Sequence, residues 1–196
     1  MQKRNIEIKG GESTATNALW EKFQYLFKPL TVPAKTLLLK EGTVSKKAYF
    51  IEKGCIRTWF NNNGKDITFQ FFFENEGVSS IESFSKGVPG LFNIETVEPC
   101  VLSWIHKNDF DRILAESPEI KASMAEINLE RQFKYMHQFL SFLKDTPPQR
   151  YANLLKEKPH ILQRVPLQYI ASYLGITPVS LSRIRNKYEK NKAFNK

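Results

Sequence analysis

Between about Thr36 and Lys107 the apolar residues come in short runs, at 37–39, 49–51, 55–60, 67–73, 94–97 and 101–105. Turn-forming residues part them: Glu41-Gly42, Lys53-Gly54, Asn61 to Gly64, Gly87 to Gly90 and Glu98-Pro99. Several short strands at this spacing predict an all-β sandwich or jelly roll. Before them, residues 15–27 carry Leu19, Trp20, Phe23, Leu26 and Phe27 at three- and four-residue intervals, which predicts a helix capped by Thr14 or Thr16. After them the period lengthens again. Phe110, Ile113 and Leu114 predict a short helix, and Ser117-Pro118-Glu119 opens a second, with Ser as the cap and Pro in the first turn. That helix can run unbroken to about Lys144, roughly 40 Å at about 1.5 Å per residue.

The long helix is striped. Ile120, Met124 and Ile127, then Leu129, Phe133, Met136, Leu140 and Leu143, fall at three- and four-residue steps. In a chain of 196 residues a helix from a second copy is the natural cover, with Ile127, Phe133, Met136, Leu140 and Leu143 as the seam. The alternative is a helix lying on its own β domain. Asp145-Thr146-Pro147-Pro148 stops it, because proline disfavours helical geometry in the preceding residue and cannot donate to the ladder. This divides the chain into a β unit at 1–116, a long helix at 117–145 and a C-terminal unit at 146–196.

Charge separates the same units. Lys and Arg outnumber Asp and Glu by 29 to 20, yet residues 1–144 hold 19 against 17 and residues 145–196 hold 10 against 3. A compact basic module points to a polyanion, nucleic acid first and an anionic membrane surface second. Within it, 149–157, 166–174 and 178–190 read as helices with a break at Gly175, the outline of a helix-turn-helix. Ala171 is small where two helices cross, Gly175 supplies a left-handed turn, and Ile170, Leu174, Ile176, Leu181 and Ile184 make the core. Thr177 is an N-cap with Pro178 at the first helical position. The following helix turns Val179, Ser180, Ser182, Arg183, Asn186 and Lys187 outward, hydroxyl and guanidinium groups that suit base edges and phosphates.

This order of helix, β-roll, long helix and C-terminal helix-turn-helix resembles the bacterial regulators typified by the cyclic-AMP receptor protein and the fumarate and nitrate reduction regulator. The resemblance runs from about Trp20 to Lys190. Its most specific stretch, Leu174-Gly-Ile-Thr-Pro-Val-Ser-Leu-Ser-Arg-Ile-Arg, looks like the family's Leu-Gly-Val-Ser-Arg-Glu-Thr-Val-Ser-Arg signature, and Leu39-Lys-Glu-Gly with Tyr49-Phe-Ile-Glu-Lys-Gly-Cys-Ile-Arg is similar to its first roll strands. The resemblance implies an α+β chain: a double-stranded β-helix (jelly roll) like a cyclic-nucleotide-binding domain, a dimerisation helix and a winged helix-turn-helix. It implies a homodimeric, cytoplasmic transcription regulator on near-palindromic double-stranded DNA, with RNA polymerase as a further partner and a small-molecule effector of unknown identity. Thr177, Val179, Ser180, Ser182 and Arg183 are then the expected DNA contacts, with Arg185 and Lys187 on phosphates.

Two departures from the family bear on specificity and sensing. Where the recognition helix commonly offers Arg, Glu and a second Arg, this chain has Pro178, Val179 and Arg183. Valine cannot accept from a cytosine amine but can touch a thymine methyl. The family's phosphate cassette, Phe-Gly-Glu-Leu and later Arg-Ser-Ala, corresponds here to Gly77-Val-Ser-Ser-Ile-Glu-Ser-Phe and Gly90-Leu-Phe-Asn. Glu82 and Ser83, with Gly90 and Leu91, are the candidate pocket residues. Without the arginine a buried phosphodiester would stay poorly compensated, which argues against a cyclic-AMP response; a cyclic-nucleotide regulator with a divergent pocket is the alternative.

The rest of the composition narrows the field. Hydrophobic residues at 41% with 15 Phe, 7 Tyr and 3 Trp exclude a disordered chain. No apolar run reaches the roughly 18 to 20 residues of a membrane span, and the first thirty residues lack a secretory leader pattern. Cys55 and Cys100 are too few for a disulfide framework or an iron-sulfur cluster and are expected as buried thiols. A cupin-type metal enzyme needs two or three His and a carboxylate converging inside the roll, and only His106 lies there, with His137 and His160 outside it. The sequence thus predicts no enzyme, no metal and no cofactor, haem through His106 or His137 included. Phe50, Trp59, Phe60, Phe69, Phe71, Phe73, Phe84 and Phe92 either fill the roll's core or line a site for a small apolar ligand.

Overall fold

A computed structural model describes residues 20–194. Its strands are β1 (Lys28–Val32), β2 (Leu37–Leu39), β3 (Lys47–Lys53), β4 (Ile56–Asn62), β5 (Lys65–Phe72), β6 (Gly77–Val78), β7 (Asn93–Thr96) and β8 (Cys100–His106). The helices are α1 (Ile81–Lys86), α2 (Lys107–Glu116), α3 (Pro118–Lys144), α4 (Pro147–Glu157), α5 (Ile161–Arg164), α6 (Leu167–Tyr173) and α7 (Pro178–Phe194). The strands form two four-stranded antiparallel sheets, ordered β1-β8-β3-β6 and β2-β7-β4-β5, the two halves of a jelly roll.

Alternation along the strands distributes side chains to different cores. Tyr49 and Ile51 of β3 join Ile56, Phe72, Ile94 and Leu102 between the sheets. Ala48 and Phe50 point the other way, onto Trp20, Phe23, Ile105, Ile113 and the Ile120 that opens α3. At the end of β5, Phe72 faces the roll interior while Phe71 and, just past the strand, Phe73 join a third core with Tyr151, Leu154, Ile161, Ile170, Leu174 and Leu181 of the C-terminal helices. Strands covered on both faces read as unbroken apolar runs, which accounts for Phe71-Phe72-Phe73. The eight aromatics assigned to the roll therefore share no single space. Phe50 and Phe84 lie under α2 and α3, Phe71 and Phe73 under the C-terminal helices, and Phe60, Phe69 and Phe92 stack on one another.

The helix expected at 15–27 lies outside the described residues up to Leu19. Beyond it only Trp20 and Glu21 are helical, and the chain tightens into a 3₁₀ turn at Gln24–Leu26, with Phe27 N–H bonded to Gln24 O. Burying Trp20 and Phe23 against α2 and α3 while feeding Pro29 into β1 leaves no room for a regular helix to Phe27. The long helix has the predicted limits: Ser117 Oγ accepts from Ile120 N–H at 3.3 Å, and Asp145 leaves it extended at ψ 140° before Pro147. Thr146 N–H then donates to Gln149 Oε1 at 2.8 Å and starts α4. The expected wing has no strand among the described residues. The Pro159 turn leads instead into the single-turn α5, which carries Arg164 onto acidic groups of the roll.

Candidate nucleic-acid interface

The turn between α6 and α7 is built from few bonds. Gly175 takes φ +66°, a left-handed conformation that costs other residues steric strain. It lets Gly175 N–H reach Ser172 O and Ile176 N–H reach Ala171 O, both at 3.0 Å. Thr177 Oγ1 accepts from Ser180 N–H at 3.1 Å, capping α7, with Pro178 in the first turn. Leu181 is fully buried against Ile170, Ala171 and Leu174. The burial of one stripe fixes which stripe faces out.

Val179, Arg183 and Asn186 stand at i, i+4 and i+7, hence on one face of α7, and all three are exposed, Val179 at 61%. Lys187 and Ser182 flank that face, also exposed. The hydroxyls are already engaged: Ser180 Oγ accepts from Thr177 Oγ1 at 3.0 Å, and Ser182 Oγ donates to Pro178 O at 3.0 Å. Arg185 is not on this face. It is half-buried and turns back toward Glu189, 3.8 Å away. The structure thus gathers Thr177, Val179, Arg183 and Lys187 on one outward surface, adds Asn186, and sets Arg185 apart.

The long helix has two stripes. Leu129, Phe133, Met136, Leu140 and Leu143 repeat at four and three residues and are all exposed. Ile127 belongs with Met124 and Arg131 on the side facing the roll, where Arg131 Nη2 donates to Gly77 O at 2.9 Å and Gln138 Nε2 to Phe69 O at 3.0 Å. Leu129, in the sequence stripe but not in the predicted seam, lies on this exposed stripe, and Ile127 does not.

The four pocket candidates do not converge. Ser83 is buried with its hydroxyl engaged, accepting from Ser45 N–H at 2.8 Å and donating to Val88 O at 2.5 Å. Gly90 pairs its backbone with the loop before β3, through Gly42 N–H to Gly90 O at 2.8 Å and Gly90 N–H to Thr43 O at 2.9 Å. Glu82 is exposed and paired with Lys86 at 3.0 Å, and Leu91 points into solvent at 71% exposure. A groove of about 1060 Å³ does open between α3, β5 and α4, but its five cations, Arg131, Lys134, Lys144, Arg150 and Lys158, are matched in number by Glu74, Glu76, Glu130, Asp145 and Glu157. Such a lining offers no net charge to a phosphate.

Both cysteines are buried and unpaired, and burial pushes the Cys100 thiol up to about 11 and the Cys55 thiol higher still. Among the described residues no group of three or more His, Cys, Asp or Glu side chains could hold a metal ion, and no helix is long and apolar enough to cross a membrane. His106 uses Nδ1 to accept from Asn108 N–H at 3.2 Å, capping α2.

Comparison with known proteins places this geometry. Residues 29–117 match the family model "Cyclic nucleotide-binding domain". No curated protein matches the sequence. Among solved structures, FixK2 from Bradyrhizobium japonicum superposes with a TM-score of 0.75 at 12% identity, covering 85% of this chain and 86% of its own. CLP from Xanthomonas campestris, a c-di-GMP responsive global regulator, gives 0.69 at 15% identity, over 89% of this chain and 92% of its own. A transcriptional regulator of the crp/fnr family from Eubacterium rectale gives 0.67 at 18% identity, over 91% of this chain and 84% of its own. Residues 29–117 thus match the model of the cyclic nucleotide-binding domain family, and the chain shares its fold with these solved structures.

Proposed function

We propose that the chain is a DNA-binding transcription regulator of the Crp/Fnr type that works in the cytoplasm as a homodimer, without enzymatic activity. The observation that carries the reading is the outward face of α7, where Val179, Arg183, Asn186 and Lys187 project from a helix held by a glycine turn. Two copies pair along Leu129, Phe133, Met136, Leu140 and Leu143. Their recognition helices enter successive major grooves about 34 Å apart. Arg183 reads guanine through O6 and N7, Val179 covers a thymine methyl, and Thr177 and Lys187 meet phosphates. Ser180 and Ser182 keep their intrahelical bonds or exchange them for DNA oxygens, and Arg185 reaches a phosphate by releasing Glu189. The units are the roll at 1–116, the pairing helix at 117–145 and the DNA-binding unit at 146–196.

Cyclic AMP is not the effector in this reading. Ser83 and Gly90 spend their polar atoms closing the cassette on the protein, and Glu82 is occupied by Lys86. The test is selection from a random DNA pool at fixed salt, alone and with cyclic AMP or c-di-GMP, because salt by itself moves affinity strongly. An enriched near-palindrome independent of nucleotide is the expected result. Enrichment only with a nucleotide would restore a divergent nucleotide pocket, the second reading, which the match at residues 29–117 favours. No enrichment under any condition refutes DNA recognition.

A further inference from the structure

Arg57 is an anomaly of the roll: a charged side chain only 2% exposed in the middle of β4. A buried guanidinium is costly unless fully paired. Arg57 donates to Glu95 Oε1 at 3.2 Å from Nη2 and 3.3 Å from Nε, to Thr68 Oγ1 at 3.1 Å, and to Asp66 Oδ2 at 3.4 Å. Its last neighbour comes from another unit. The ring of Tyr169, on the first helix of the helix-turn-helix, lies 3.7 Å from the guanidinium carbon. Arginine stacks on such rings because it is planar and weakly hydrated.

Arg57 marks the centre of a broader seam. β5 is an edge strand, and Ser172 of α6 serves it as a partner, its hydroxyl accepting from Thr68 N–H at 2.9 Å and donating to Asp66 O at 2.8 Å. Lys158 Nζ donates to Phe71 O at 3.0 Å. Arg164 forks onto Glu74 at 2.8 and 2.6 Å and also bonds Glu98 at 3.0 Å, bringing a cation of the C-terminal unit onto two carboxylates of the roll. Cys55, Phe71, Phe73 and Val97 share one apolar core with α4 to α7. The only covalent link between α3 and α4 is Asp145-Thr146, so this seam and Arg150, bonded to Asp145 O at 2.7 Å and Leu174 O at 3.0 Å, fix the unit's direction.

We propose that Arg57 and Arg164 are positioning residues for DNA recognition: they hold the helix-turn-helix on its own roll, so that the roll, and not the long helix alone, sets which operator half-site spacing is accepted. The proposal rests on the DNA-binding reading above. Its leverage is geometric. The unit is about two helix diameters across, about 20 Å, so a pivot of about 10° at Asp145 moves α7 by about 3.5 Å, close to one base-pair step. Neither arginine lies on the reading face, so losing one leaves half-site sequence preference in place and relaxes spacing.

The test uses the full chain with Arg164→Ala and, independently, Arg57→Met, which keeps an apolar stem in the buried slot. DNA is selected from a pool of half-sites joined by spacers of varied length. Reaction of Cys55 with a disulfide reagent is followed in parallel, since Cys55 packs in the shared core while Cys100 packs inside the roll. The parent enriches one spacing. Arg164→Ala enriches the same half-site at several spacings and raises Cys55 labelling by about tenfold or more, with Cys100 unchanged and Arg164→Lys restoring part of both. A generally destabilised protein would instead lose affinity at every spacing and expose both thiols. If both variants keep a single spacing and a protected Cys55, the positioning proposal is refuted while DNA binding stands. A parent that enriches no DNA refutes the DNA-binding reading, and the proposal falls with it.

Discussion

Replacing Leu140 and Leu143 with Glu tests the pairing face of the long helix directly. Leu129, Phe133, Met136, Leu140 and Leu143 are 49%, 43%, 49%, 42% and 70% exposed in the single chain. Covering a side chain that is half exposed recovers about half of the ~1.5–3 kcal/mol for full burial, so about 1 kcal/mol each. Five residues from each of two copies give about 10 kcal/mol, enough to exceed the lower part of the ~4–15 kcal/mol cost of association. The double variant removes four of those contributions, about 4 kcal/mol, and sets four carboxylates in an apolar seam. The dissociation constant should rise by at least about a thousandfold. Sedimentation at micromolar concentration is the assay: the parent runs at twice the 22.8 kDa of one chain and the variant at 22.8 kDa, with unchanged helical circular dichroism. An unchanged mass for a folded variant would show that this stripe is not the seam, and a monomeric parent would remove the dimer itself.

Arg183→Ala should lower affinity for the selected operator by about 10- to 100-fold, from a loss of ~1–3 kcal/mol, leaving the dimer mass unchanged. Lys187→Ala should weaken all sequences alike and reduce the salt slope by about one. Fluorescence anisotropy across a salt series separates the two, and equal effects from both would contradict the assigned roles. Gly175→Val forces φ +66° on a branched residue and sets a Cβ 3.0 Å from Phe142 Cε1, so the thermal midpoint should fall by an amount equivalent to about 1–3 kcal/mol; an unchanged midpoint would mean that the turn relaxes freely. Glu74 is held down to about 2, chiefly by its hydrogen bonds from Arg164 and against the opposing effect of burial. Because its folded value lies below its unfolded one, its stabilisation is present above about pH 4.5 and is lost as pH falls toward 2. The parent should therefore exceed Glu74→Gln in urea midpoint at pH 6, by about 1–2 kcal/mol after screening at a partly exposed site, and the gap should close with acid; a gap constant with pH would detach Arg164 from that stabilisation.

The roll strands were legible because each carries apolar residues that turn residues bound, and the capped, proline-stopped α3 because its signals are local. Elements without an apolar run escaped: β1 begins Lys28-Pro29, β6 has two residues, α5 has four, and α1 buries only Ser83 and Phe84. The exposed stripe of α3 was half legible. Ile127 and Leu129 both satisfy three- and four-residue steps from Met124 and toward Phe133 only if the stripe changes track, because α3 carries two faces at once, Ile127, Arg131 and Gln138 toward the roll and Leu129, Phe133 and Met136 exposed in the single chain. Arg57 was illegible because a charge in a strand ordinarily faces water. Its burial follows from Tyr169, some hundred residues later, and no local pattern encodes such a contact.

The loops around Ser83 and Gly90 satisfy their polar atoms within the protein. A bound phosphodiester in such a site would draw backbone N–H groups and a cation toward itself. Here Ser45 N–H goes to Ser83 Oγ, Gly90 N–H to Thr43 O and Gly42 N–H to Gly90 O, so donors near the turn have protein acceptors. Lys86, the nearby cation on α1, is held by Glu82 one helical turn away. A Cβ at Gly90 would sit 3.3 Å from both Ser80 Oγ and Thr43 O, so the backbone packs closely on its neighbours there. The loop is thus stable without an anion, and opening it for one would break hydrogen bonds worth about 1 kcal/mol each before any ligand contact is made. The seam of Arg57, Arg164, Glu74 and Tyr169, by contrast, joins the roll to the C-terminal helices through α5 and α6.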